Sequence, residues 1–371
     1  MKPKVLIDSI SLLSPLTGIG RYTYEVSKQL KKKNSLEINF FYGYHSKKLL
    51  GSSDKSDIKI LKSIITKNEL VKKLARKVLL LSSKYYTPVY DVYWQPNFIP
   101  NEGIKAKKIV TTVHDFSFIL HKDFHPKERI EFFENNFYKN IYKSDMIITG
   151  SEFSKKEILD RLDYDEDKIK VIYHGLNHDL FKVYNEISLE FKLPEKFIFS
   201  VGSIEPRKNL IGLLKAYDMI DEKLKKEYKL VLAGFKGWKN NEIMELINKN
   251  KDNIIYLGFI SDIELAKVYN LSSQFVFPSF YEGFGLPVLE AMACGTPVVC
   301  SNKSSIPEVG ADAVVYCDPY CVEDIKDKIT LVLDNKILQN EMRQKGLDRA
   351  KNFSWDKSSD EHIKVFKEVM K

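Results

Sequence analysis

"QFVFPSFYEGFGLPVLEAMACGTPVVCS", residues 274 to 301, decides the fold. A run rich in Phe and Val ends at Pro278, a turn carrying Gly283 and Gly285 follows, an apolar helical pattern runs from near Leu286, and "TPVVCS" adds a second β-branched run. Strand, helix, strand in so short a span is the unit of a parallel sheet, because a parallel neighbour can be reached only by a crossover. Pro287 suits the first turn of the helix, where its missing N–H has no bond to lose.

The same alternation continues outward in both directions. Upstream lie "FIFSVGS" (197–203), "KLVLAG" (229–234) and "NIIYLGF" (253–259), and downstream "AVVYC" (313–317). An earlier series, "KVLID", "LEINFFYG", "DVYWQP", "KIVTTVHD", "DMIITGS" and "IKVIYHG", occupies the first half, with helical patterns between several of its members. The chain therefore reads as α/β, with two Rossmann-like domains facing across a cleft: residues 1–180, then 190–354. Residues 175–196 lack clean periodicity and are the best linker. A length of 371 residues agrees, being too long for one ordinary core and suited to two domains of ~150–200 residues.

Composition narrows the classes. With 44% hydrophobic and 29% charged residues the chain is a folding one, and no window approaches the ~20 apolar residues of a membrane span. Asp8 interrupts the apolar run at the start, which reads as a first strand rather than a signal peptide, so a cytoplasmic location is expected. The four cysteines, Cys294, Cys300, Cys317 and Cys321, lack metal-site spacing and are expected as free thiols. Residues 1 to 100 carry 18 Lys and Arg against 7 Asp and Glu, a surplus of 11, so the remaining 271 residues sum to −3. The surplus concentrates in "IKILKSIITKNELVKKLARKVLLLSSKYY" (58–86), where basic and apolar residues interleave at helical intervals. Such a stretch suits either an anionic membrane surface or a core-facing helix with a solvated lysine face. No nucleic-acid-binding module surrounds it, and nucleic acid is not an expected partner.

Ligands of doubly wound sheets bind at the carboxyl ends of the strands, which makes the residues just after each strand the candidates. After "QFVFPS", the backbone N–H groups of Phe284, Gly285 and Leu286 stand at a helix N-terminus, where they suit a phosphate. Glu290, within the first turn or so of that helix, suits a ribose diol, and Glu282 in the preceding loop reaches toward whatever the phosphate carries. After "FIFSVGS" come Arg207 and Lys208, a forked and a compact cation suited to a diphosphate, with Asn209 placed to cap the next helix. In the first half, Gly18 and Gly20 precede a helix expected from near Arg21, and His114 and Asp115 end a strand. Each has a plain structural alternative, a cap or a hydrogen-bonded buried histidine.

Together, Gly18-Ile19-Gly20, His114-Asp115, Glu205 to Asn209, "TGSEFSKKEI" (149–158) and Glu282 to Glu290 resemble the retaining glycosyltransferases of family 4. The likeness covers nearly the whole chain, and "EGFGLPVLEAMACGTPVV" is its most specific element. It implies the GT-B fold, a nucleotide-sugar donor on the C-terminal domain, an acceptor on the N-terminal one, and a final segment, 355–371, crossing back to the N-terminal domain. It implies front-face displacement with His114, Arg207, Lys208 and Glu282 in catalytic roles, and with no metal or other cofactor. Asp115 and the nucleotide-facing residues would bind substrate, the base being read near Gly258 and Phe259. Ser203 departs from the pattern, since many members carry arginine there. Members with similar "TGIGRYT" and "EPRKN" text are often mannosyltransferases, so GDP-mannose is the expected donor. UDP-glucose, UDP-N-acetylglucosamine and a deoxysugar nucleotide are the alternatives. The expected acceptor is a saccharide or polyprenyl-diphosphate-linked glycan of cell-surface polysaccharide synthesis, met on the inner face of the membrane.

Three rival readings compete. Asp163 and Asp165 form a bare Asp-x-Asp string, as in metal-dependent transferases, but in an acidic turn. His114-Asp115 with His121 and His125 is a metal phosphohydrolase pattern lacking ligands on helices. A dinucleotide oxidoreductase or a nucleotide-sugar epimerase would share the scaffold.

Overall fold

β1 (Lys4–Asp8) shows how the first sheet is built: Val5, Leu6 and Ile7 are all fully buried, so both faces of the strand are covered and polar alternation is absent. It pairs in parallel with β2 (Glu37–Phe41) and β4 (Tyr90–Gln95). β5 (Ala106–Thr112), β6 (Met146–Thr149) and β7 (Ile169–Val171) extend the sheet. A two-residue β3 (His45–Ser46), which carries no pattern in the sequence, runs antiparallel to β2 and completes a seven-stranded sheet of order β3-β2-β1-β4-β5-β6-β7. This computed structural model describes residues 2–13, 18–51, 88–235, 237 and 240–371; the basic stretch 58–86 lies outside the described residues.

The second sheet is parallel throughout. β8 (Phe197–Val201), β9 (Lys229–Ala233), β10 (Ile254–Tyr256), β11 (Gln274–Phe277), β12 (Val298–Ser301) and β13 (Val315–Cys317) form a six-stranded sheet of order β10-β9-β8-β11-β12-β13. The chain leaves β8 toward one edge and continues from β11 toward the other, so a crevice opens between the ends of these two strands. The first sheet switches direction likewise between β1 and β4. The architecture is two doubly wound α/β domains, as the strand runs imply.

Two crossings join the domains. Outbound, residues 175–196 form no regular element, but they are not a loose tether: Phe181, Tyr184, Leu189 and Phe191 pack on the second domain's core, and the Tyr184 amide donates to Asn270 Oδ1 at 2.9 Å. Periodicity is absent because this packing follows the contour of a surface rather than a helix or strand repeat. On the return, Trp355, Ile363, Phe366 and Val369 of the helix Trp355–Val369 enter the first domain's core beside Val5, Tyr22 and Trp94. His362 ties this helix to the helix Gly18–Lys33 through a 2.7 Å hydrogen bond between Nε2 and the Tyr22 hydroxyl. All four cysteines are free thiols, three of them buried.

The crossings meet at Gly175, where a Cβ would lie 2.1 Å from the Trp355 amide nitrogen. The obstacle is backbone and cannot swing aside. Gly175→Ala is expected to destabilise the protein by about 3 kcal/mol, within the range of severe steric substitutions. Chemical denaturation followed by circular dichroism measures this, and a midpoint equal to the wild type would contradict it.

Candidate active site

The crevice between β8 and β11 carries the charged residues. After β8 the chain makes a single 3-10 turn, Pro206–Lys208, and Asn209 follows in the left-handed region with φ 53°. The Asn209 side chain accepts from the Gly212 amide at 3.2 Å, capping the helix Leu210–Asp218. Its amide group donates to the carbonyls of Pro278 (3.1 Å) and Pro319 (2.7 Å), which ties this turn to the loop after β11 and to the segment after β13. Arg207 and Lys208 are thereby aimed at that loop.

There they meet Glu282. Arg207 Nη1 lies 2.7 Å from Glu282 Oε2, Lys208 Nζ lies 2.6 Å from Oε1, and Arg207 Nη2 also pairs with Glu205 at 2.9 Å. Burial alone would raise the Glu282 carboxyl, but the Arg207 and Lys208 charges outweigh it and hold the group at about 2. For Arg207, burial is likewise outweighed, by Glu282 and Glu205, and its pKa rises. Lys208 moves the other way, lowered by burial and by the adjacent Arg207 charge. Glu282 is thus gripped chiefly by Arg207. The cations expected to stand ready for a diphosphate are already engaged with carboxylates, because an unpaired charge in so buried a place is costly.

Beyond Glu282 the loop turns into the helix Leu286–Ala293 through Gly285, at φ 112°. Among the described residues the amides of Phe284, Gly285 and Leu286 have no protein acceptor, and all three residues line the cavity. Glu290 sits at the fifth helical position, just past the first turn as the sequence reading put it, and is 3% exposed. It is ion-paired with Arg21 of the first domain and accepts from the Tyr269 hydroxyl at 3.3 Å. Burial nevertheless raises its carboxyl to about 7.

The first domain supplies the opposite wall. His114 Nε2 is 2.8 Å from the Pro96 carbonyl, which can only accept, so Nε2 carries the proton and Nδ1 is the acceptor nitrogen. Burial lowers the pKa of this ring, which is neutral. Its backbone carbonyl accepts from Ser154 Oγ at 3.2 Å and packs on Gly283, where a Cβ would lie 2.2 Å away. Asp115 Oδ1 accepts from the Ser117 amide at 2.9 Å.

Contacts across the cleft hold these walls together. Ser151 Oγ donates to the Gly283 carbonyl (3.0 Å), and the Glu308 carboxylate accepts from the amides of Glu152 (2.8 Å) and Phe153 (2.7 Å). These amides open the helix Glu152–Arg161, so a carboxylate of one domain caps a helix of the other. The Tyr281 hydroxyl accepts from the Phe116 amide at 2.9 Å and donates to Glu157.

A cavity of about 450 Å³ lies between the walls, within the size of small-molecule sites. It is lined by Gly18, His114, Asp115, Arg207, Lys208, Glu282, Phe284, Gly285, Leu286 and Glu290 of the predicted residues. Three predicted residues fall outside its wall. Gly20 is buried within a helix that starts at Gly18 rather than near Arg21, its first turn already closed by the Thr23 hydroxyl on the Ile19 carbonyl (2.9 Å). Gly258 and Phe259 stand one ring away, since Phe259 stacks at 4.4 Å on Phe235, and it is Phe235 that reaches the cavity. Residues missed by the sequence reading include Arg21, His174 and Arg129. Arg21 directly follows the glycine pair, the one signal that pointed there. Asp163 and Asp165 are exposed and outside the cavity, Asp165 capping a one-turn 3-10 helix. Among the described residues no group of three or more His, Cys, Asp or Glu is placed to hold a metal ion, and no helix is long and apolar enough to cross a membrane.

Comparison with known proteins agrees with this fold. Residues 85–180 match the model of Glycosyltransferase Family 4, and residues 185–349 that of Glycosyl transferases group 1. The chain is 32% identical to O-antigen chain mannosyltransferase B of Escherichia coli over 98% of its own length and 99% of that protein's. Among solved structures, sucrose-phosphate synthase from Thermosynechococcus elongatus superposes with a TM-score of 0.74 at 17% identity, covering 100% of this chain and 99% of that one. Anabaena HepE, solved with UDP and glucose, gives 0.70 at 14% identity, covering 99% of this chain and 100% of that one.

The depressed Glu282 carboxyl makes an acid-sensitive contribution to stability. Its folded pKa of about 2 lies below the ordinary 4.5, so the stabilisation is complete above that ordinary value and is lost as pH falls toward 2. Glu282→Gln is expected to cost about 3 kcal/mol near neutral pH, as for a broken buried pair. The deficit should shrink on acidification below about pH 4.5. Melting temperatures of both proteins across that range test this, a constant deficit being the contrary result.

Proposed function

The chain belongs to the family 4 glycosyltransferases, and from that premise we propose that it transfers mannose from GDP-mannose to a saccharide acceptor, with retention of configuration, in surface-polysaccharide synthesis. The acceptor we assign is a glycan carried on a polyprenyl diphosphate, met at the cytoplasmic face of a membrane. Full-length similarity to an O-antigen chain mannosyltransferase supports the sugar and the pathway. The surplus of basic charge in the first 100 residues supports an anionic lipid surface nearby. The observation that carries the reading is the convergence of Arg207, Lys208 and the open helix N-terminus at Phe284 to Leu286 on one cavity faced by His114.

In this reading the acceptor oxygen bonds to the anomeric carbon on the face from which the diphosphate departs. The bond from that carbon to the phosphate oxygen breaks, and the acceptor proton passes to the departing phosphate. Charge develops mainly on the leaving diphosphate, so fixed donors aimed at it do most of the catalytic work. Arg207, Lys208 and the amides of Phe284, Gly285 and Leu286 fill that role, with Glu282 orienting the two cations and accepting from sugar hydroxyls. His114 acts as a neutral hydrogen-bonding group at the sugar, Asp115 binds beside it, and Glu290 takes the ribose. Neither a carboxylate nucleophile nor a metal has a part in the step.

Lys208→Ala is expected to lower kcat by about 100-fold or more, equivalent to about 3 kcal/mol for one preorganised donor, while the fold is kept. Near-normal turnover of the folded variant would overturn the assignment. The donor is tested by thermal stabilisation with GDP-mannose, UDP-glucose and UDP-N-acetylglucosamine, since a ligand preferring the folded state raises the melting temperature. GDP-mannose should give the largest shift, and transfer should persist in excess EDTA.

A further inference from the structure

Arg21 belongs to the first domain's opening helix, yet both its ion-pair partners lie in the second. Its Nη1 meets Glu290 and its Nη2 meets Asp262, positions 269 and 241 residues away in the chain. Arg21 lines the cavity together with Glu290, and its guanidinium also lies 5.8 Å from the Phe181 ring of the outbound crossing. On Glu290, one carboxylate oxygen is taken by Arg21 and the other accepts a long bond from Tyr269. An ionised carboxylate accepts about four hydrogen bonds, so roughly two lone-pair positions remain, on a group that forms part of the cavity wall.

We propose that Arg21 is a positioning residue for the nucleotide ribose: by pairing with Glu290 across the domain boundary it holds that carboxylate turned toward the two vicinal hydroxyls. The first domain thereby completes the donor subsite of the second, and ribose binding is linked to the Arg21 contact between the domains. The inference rests on the reading of Glu290 as the ribose acceptor. The groups facing Glu290 are Arg21 on the first helix, Asp262 and Tyr269 on the helix Asp262–Leu271, and Cys294 just past its own helix. Among them Arg21 alone is a cation. Burial already holds Glu290 at about 7 with Arg21 in place, so losing the guanidinium raises it further and leaves a protonated carboxyl at neutral pH.

The test is calorimetric titration of the full-length protein with GDP, UDP and the 2′,3′-dideoxy form of each, for the wild type and for Arg21→Gln and Arg21→Lys. The wild type should favour the ribonucleotide by about tenfold or more, as a site built around hydroxyl groups does. Arg21→Gln should lose most of that preference with little change in dideoxynucleotide affinity, and should regain part of it between about pH 7 and pH 9 as Glu290 ionises. Arg21→Lys keeps the charge without the fork and should fall between, at least about threefold below the wild-type ratio. A purely structural role for Arg21 would weaken both nucleotides alike. A wild-type ratio in either folded variant overturns the proposal. Absence of any ribose preference in the wild type instead overturns the reading of Glu290 on which it rests.

Discussion

A carboxylate gripped by two cations organises the cleft. Glu282 lies at the end of the loop after β11, Arg207 and Lys208 lie in the turn after β8, and their pairing joins the two strand ends at which the second sheet reverses direction. Asn209 makes the same connection through a neutral hydrogen bond to Pro278, and reaches the end of β13 through Pro319. The Phe280 amide, which donates to the Arg207 carbonyl at 3.0 Å, adds a third tie. Together they fix the direction of the helix Leu286–Ala293, and with it the placement of its open amides and of Glu290.

The domain boundary combines close backbone approach with ring contacts, among them Phe124 stacked on Phe280 and His174 tilted against Phe284. At Gly283 and Gly175 a single methyl group would collide with backbone of the other domain or of the returning segment, at 2.2 Å and 2.1 Å respectively. Around these contacts the bonds are polar and directional, as with Glu308 on the helix Glu152–Arg161, Tyr281 on Glu157, and Arg21 on Glu290. An interface of this kind depends on geometry, since hydrogen bonds weaken steeply when misaligned while apolar area does not. That suits the proposed transfer, in which the two domains hold different substrates.

Much of the site is legible locally. Pro287 in the first helical turn, Gly285 before it and Asn209 as a cap each follow from backbone chemistry that one residue carries with it, and the structure places all three so. The strand runs are legible for the same reason, because a strand covered on both faces must be apolar along its length. What local pattern misjudged was a helix start: the first helix begins at Gly18 rather than near Arg21. It also pointed to Gly258 and Phe259, whereas Phe235 of the neighbouring loop is the ring that reaches the cavity.

The amino-acid order alone therefore determined the parallel strands of the two sheets, the turns at their carboxyl ends and the set of charged residues carried there, all consequences of apolar runs and of what Gly, Pro and Asn do to backbone. Tertiary structure alone decided which charges meet. Arg21 and Glu290, or Glu308 and the helix it caps, lie far apart in the chain and bear no local mark of one another. Their pairing comes from the packing of two domains and a returning helix, and at Glu290 that packing also removes the water that would otherwise satisfy the charge.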